Sequence, residues 1–170
     1  GNRITKTINE AIDNVLAPEL QKARENNSLE NYSRFAALRD SLNEDVIANF
    51  LLLRVEATAL SRTEADREYQ IYQEQLQKTR DGLGRWAALV GDNNSLKTAI
   101  QAISESLDGY DNAGRTFHSN ILQKRRANTD MRQIAGAIIQ KVTTINQNLQ
   151  SQMNAVGTQT NVFLVCLVIG

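Results

Sequence analysis

The stretch LENYSRFAALRDSLNEDVIANFLLLRVEATALS, residues 29–61, decides the fold. Phe35, Leu38, Leu42, Val46, Phe50, Leu53, Ala57 and Leu60 recur in it at steps of three and four. An α-helix turns once in about 3.6 residues, so this spacing puts the apolar side chains along one side of a helix. Strand-like alternation is absent. A seam of this length suits a helix packed lengthwise against other long helices.

The same periodicity extends in both directions. Upstream, Ile4, Ile8, Ile12, Val15 and Leu16 predict a helix over 3–25, and Asn26, Asn27 and Ser28 punctuate the chain after it. Pro18 lies inside that helix and should kink or restart it, because proline lacks an N–H and crowds the preceding turn. Downstream, a polar stretch at 61–68 interrupts the seam, with Thr63 and Asp66 spaced like a capping box. A third helix over 64–89 follows through Tyr69, Tyr72, Leu76, Thr79, Leu83, Trp86 and Val90. Gly91-Asp92-Asn93-Asn94-Ser95 is the strongest turn signal in the chain. A fourth helix over 95–125 carries Leu96, Ile100, Ile103, Leu107, Tyr110 and Phe117. The polar stretch 123–130 predicts a second break. A fifth helix, 130–160, runs through Met131, Ile134, Ile138, Val142, Ile145, Leu149, Met153 and Val156. The expected fold is all-α: an elongated antiparallel helical bundle with the two polar breaks at one end.

Composition narrows the function. The chain has 170 residues, with 19 Lys+Arg against 19 Asp+Glu. A neutral chain carries no basic footprint for nucleic acid. Apolar residues make up 41%, too many for an acidic disordered tail. Aromatics are 5%, which argues against an aromatic-lined cofactor pocket. Cys166 is the lone cysteine, so no internal disulfide forms and no Cys/His zinc cluster is encoded. His118 is the lone histidine and lacks the Glu-x-x-His context of a di-iron bundle. No phosphate loop or nucleophile elbow is present. No cofactor is expected, and an enzyme is not the expected reading.

The last nine residues, Val162 to Gly170, form an uncharged apolar run with no amphipathic face. A span needs about 20 apolar residues. The run therefore reads as the start of a transmembrane helix, against the alternative of a buried C-terminal strand or helix plug.

A resemblance now carries further. Asn43-Glu44-Asp45-Val46-Ile47-Ala48-Asn49-Phe50-Leu51-Leu52-Leu53-Arg54, leading into a polar turn, resembles the distal half of a chemoreceptor sensor helix. Leu107-x-x-Tyr110, followed by Arg125-Arg126-Ala127-Asn128-x-x-Met131-Arg132-x-Ile134-Ala135, resembles the hairpin before the final membrane-bound helix. The chain is thus similar to the extracytoplasmic ligand-binding region of bacterial methyl-accepting chemotaxis proteins, of the helical bimodular (HBM) type rather than the plain four-helix type. With five helices, directions counted back from the membrane leave the first descending, so a sixth helix would precede residue 1. The implied organisation is a sensor over 1–161, with 1–27 membrane-proximal, 28–161 a four-helix bundle and 162–170 entering the membrane. The alternative within this group is a single four-helix sensor over 29–161, with 1–25 as an extension.

The resemblance implies a periplasmic sensor anchored in the inner membrane, dimeric, binding a small organic acid or amino acid between helices and signalling by helix displacement. Arg54 is the first candidate contact, since a guanidinium grips a carboxylate bidentately. Thr58 lies one turn above it. Tyr72 could offer its hydroxyl from the next helix, and Arg132 is a further cation. The plain alternatives are an arginine snorkelling over apolar surface and a core tyrosine. A histidine-kinase sensor and a membrane-active helical protein are the competing functional classes.

Overall fold

Helical spacing along the chain is realised as four helices. The computed structural model describes the backbone of residues 2–169 and the side chains of residues 3–157. Helix α1 (2–25) consists of Asn2–Ala11, a π turn Ile12–Leu16, and Ala17–Glu25. Helix α2 (29–63) consists of Leu29–Ser41, a π turn Leu42–Ile47, and Ala48–Thr63. Helix α3 is Asp66–Val90 and helix α4 is Asn94–Ile169. The chain divides into two units, Gly1–Ile121 and Leu122–Gly170.

The first unit is a four-helix bundle of α1, α2, α3 and residues 94–121. Its core draws Ile4, Ile8 and Leu16 from α1, Leu42, Val46 and Leu53 from α2, Leu76, Trp86 and Val90 from α3, and Leu96, Ile103 and Leu107 from α4. Trp86 is fully buried, and its indole N–H donates to the Leu38 carbonyl at 3.0 Å. Glycine allows two close approaches. A Cβ at Gly82 would collide with the Asp45 carbonyl, and one at Gly114 with the Tyr72 ring.

Each connection has a local cause. After α1, Asn27 adopts left-handed φ (51°), and the Ser28 N–H reaches back to the Ala23 carbonyl at 2.9 Å, the hydrogen bond of a Schellman stop. After α2, Glu64 is left-handed (φ 52°) and its N–H closes on the Leu60 carbonyl at 2.9 Å. Gly91 (φ 64°) ends α3, and the Asn93 side-chain oxygen accepts the Leu96 N–H at 3.0 Å to cap α4.

The π turns answer a feature of the seam. In α2 three consecutive steps of four, Leu38 to Leu42 to Val46 to Phe50, would carry the seam about 120° around an α-helix. A π turn inserts one extra residue, which takes up most of that drift. Leu38, Leu42, Val46 and Phe50 consequently all stay buried. In α1 the π turn ends just before Pro18, which has no N–H to give and sits in the first turn of the following segment.

Three expectations require correction. The break at 123–130 does not form: the backbone is helical throughout, and the Thr129 hydroxyl bonds back to the Arg125 carbonyl at 3.0 Å. Gln123, Lys124, Arg125 and Arg126 are sound helix formers, so polarity ends the apolar stripe without ending the helix. The expected hairpin and separate fifth helix are therefore absent. The four helices that pack together are not those expected within 28–161, since α1 is one of them. Finally, Thr63 does not open α3. It is the last residue of α2, its hydroxyl donates to the Ala59 carbonyl, and extended Ala65 precedes Asp66.

In the second unit, Leu122–Gly170, the stripe from Met131 to Val156 is exposed along its whole length. The run Val162–Gly170, expected to begin a membrane span, lies outside the described side chains. Among the described residues, no helix is long and apolar enough to cross a membrane.

Candidate functional site

Helix α2 presents an exposed apolar ridge, Leu51, Leu52 and Val55, opposite its buried seam. Arg54, Thr58 and Arg62 follow one another at steps of four beside this ridge, so they occupy one face. With Leu51, Val55 and Ala59 they line a shallow cleft. Both guanidiniums are exposed, and neither forms an ion pair with a described residue. No carboxylate lines this cleft, so its field is positive. A second cleft borders Arg54 on the α1 side, where Lys6, Asn9 and Asn14 are accompanied by Glu10 and Asp13. Those carboxylates oppose an anion there.

The geometry limits what each group offers. The Thr58 hydroxyl donates to the Arg54 carbonyl at 2.9 Å, so its one proton is committed within the helix. Every lining residue of the positive cleft comes from α2, which holds a ligand from one side only.

Arg54 and Thr58 are thus brought together, and Tyr72 does not join them in the cleft. Tyr72 is a core residue, 3% exposed, and its hydroxyl donates to the Tyr110 carbonyl at 2.6 Å. Burial, with Asp111 adding to it, pushes its phenol up to about 12. Tyr110 packs edge-on against Phe50 with ring centres 5.7 Å apart. Burial raises the Tyr110 phenol too, and the nearby Arg54 charge opposes that rise. Arg132 is exposed and belongs to the second unit. Arg62 was not anticipated from the sequence. Its signal was the repeat of the Arg54–Thr58 step one turn further on.

Two other polar constellations tie the bundle together. Asp111, largely buried, accepts from Arg115 Nε at 2.7 Å and from Arg80 Nη1 at 3.2 Å, and Arg80 also reaches Asp108 at 2.8 Å. The Arg115 and Arg80 hydrogen bonds hold the Asp111 carboxyl below the usual range against the opposing effect of burial. At the π turn of α2, Asp45 accepts from Ser41 at 2.8 Å and from Arg85 Nε at 2.8 Å, and these bonds lower its pKa. Asn49 there donates to the Asp45 carbonyl, while its own carbonyl receives Gln75 and Thr79 from α3. His118 stacks on Tyr69 at 3.9 Å and meets Asp66 at 3.1 Å. Among the described residues no group of His, Cys, Asp and Glu could hold a metal ion.

Compared with known proteins, the chain matches no family model, no curated protein and no solved structure.

Proposed function

We propose that this chain is the sensor region of a transmembrane receptor of the methyl-accepting type, which binds a small carboxylate outside the cell membrane. The observation that carries this reading is the pair Arg54 and Arg62, two unneutralised guanidiniums on one face of α2 beside exposed Leu51 and Val55. Guanidiniums take carboxylates through charge-assisted hydrogen bonds, and the adjoining apolar ridge suits the carbon skeleton of an organic acid or amino acid. The all-α bundle supplies the mechanical part. A ligand that prefers one packing of the helices shifts the balance by its difference in affinity between the two packings. The helix that closes the bundle, α4, is also the one whose sequence ends in the apolar run Val162–Gly170, which supports a membrane connection.

A thermal-shift screen of mono-, di- and tricarboxylates and amino acids tests the reading. One such anion should raise the melting temperature, since ligand at a hundred times Kd stabilises by about 2.7 kcal/mol. Arg54→Ala and Arg62→Ala should each weaken binding at least about tenfold, the equivalent of 1.4 kcal/mol. Absence of any shift across the screen, or full affinity in both variants, would overturn the assignment.

A further inference from the structure

A cleft opens in the first unit between α1 and the first turns of α4, apart from the anion cleft on α2. Its volume is about 370 Å³, within the range of small-molecule sites. The polar side chains that line it share one chemical bias. The Thr7 hydroxyl donates to the Arg3 carbonyl at 3.0 Å, and the Thr98 hydroxyl donates to the Asn94 carbonyl at 3.0 Å. A hydroxyl has one proton, so each of these has only lone pairs left for a ligand. The Glu10 carboxylate accepts and does not donate, and Asn14 adds an amide oxygen. No Lys, Arg or His lines the cleft.

An acceptor-rich wall with one negative charge is matched by a cation rich in donors. A primary ammonium group carries a positive charge and three N–H donors. An anion would meet the Glu10 charge with few donors to offset it. A hard metal cation would need six or more oxygen ligands and more than one carboxylate, and among the described residues no group of His, Cys, Asp and Glu could hold one. Ala11 and Ala99 are both buried and give the cleft a floor of methyl groups, which suits a short alkyl chain. Glu10 is free to turn to such a ligand. Its ion pair with Lys6 is long, 3.7 Å, and lies at the exposed surface, where an i,i+4 pair contributes little. Lys6 lines the neighbouring cleft beside Arg54 and not this one. The positive end of α4 is capped by Asn93, and its effect fades within one turn, so Glu10 sets the field beside Thr98 and Ala99.

We propose that the cleft between α1 and α4 binds a small primary alkylammonium ion, with Glu10 as its counter-ion and the Thr7 and Thr98 oxygens as acceptors. This does not depend on the anion cleft. Titration calorimetry of the full chain at low salt, with n-butylammonium and protonated 1,4-diaminobutane as probes, tests it. Both should bind, and tetramethylammonium, which has the charge but no N–H, should bind at least about tenfold more weakly. That comparison needs no variant. Glu10→Gln should weaken both amines at least about tenfold while Trp86 fluorescence stays that of the intact bundle. Asp13→Asn removes an exposed α1 carboxylate that lines the cleft beside Arg54 instead, and should leave amine affinity unchanged. Failure of both amines to bind overturns the proposal. So does tetramethylammonium that binds as tightly as they do, full affinity in Glu10→Gln, or an equal loss in Glu10→Gln and Asp13→Asn.

Discussion

Asp111 and Tyr72 show how single side chains set the pH range in which the bundle stands. Arg115 and Arg80 lower the folded pKa of Asp111 below the unfolded carboxylate value of about 3.9. Its contribution is therefore complete above that value and is lost as pH falls through the lower folded one. Asp111→Asn should cost about 1–2 kcal/mol at neutral pH through its lost charged hydrogen bonds. The difference should shrink below about pH 4. Tyr72 works at the other end. Its phenol, raised from about 10 to about 12, favours the neutral folded form. That stability is complete below about pH 10 and lost as pH rises toward the folded value. Tyr72→Phe should lose about 0.5–1.5 kcal/mol with the hydrogen bond to Tyr110, and should flatten the alkaline limb. Melting temperatures across the pH range test both. A constant Asp111→Asn deficit down to pH 2 would contradict the first.

Among elements, the π turn of α2 makes a prediction that an ordinary helix would not. Removing Asn43, an exposed residue inside Leu42–Ile47, shortens the step from Leu42 to Val46 to three. The seam then alternates threes and fours, which an α-helix serves without a bulge. Removing the equally exposed Gln77 from α3 instead turns everything beyond it by about 100° and takes Leu83, Trp86 and Val90 out of the core. The Asn43 deletion should keep its helical circular dichroism and lose no more than about 2 kcal/mol, whereas the Gln77 deletion should lose about 4 kcal/mol or more. Equal damage from both would mean the bulge is not an absorbed insertion. The elements also show what the sequence made legible. The seams of α2 and α3 could be read because their apolar periods are long and regular. The run of fours was visible as spacing, but its resolution into a π turn depends on whether flanking turns stay packed. The stretch 123–130 signals a turn by polarity alone; holding neither glycine nor proline, it continues as helix. Arg54 and Thr58 were found together because steps of four on one helix fix a shared face. Tyr72 lies on the α3 seam, the spacing of a core residue, and Gly114 lets α4 close over its ring.

For the molecule as a whole, the two units should differ in how they hold their backbone hydrogen bonds. The first has a continuous core fed by all four helices, so its amides open only with the bundle. In the second, no described side chain is buried, so opening there disrupts no core contact. Hydrogen exchange on the dilute chain should find amides within 35–110 strongly protected and those within 131–157 exchanging quickly. Protection of 131–157 as strong as that of 35–110 would mean that burial of side chains is not what separates the two units' backbone stability.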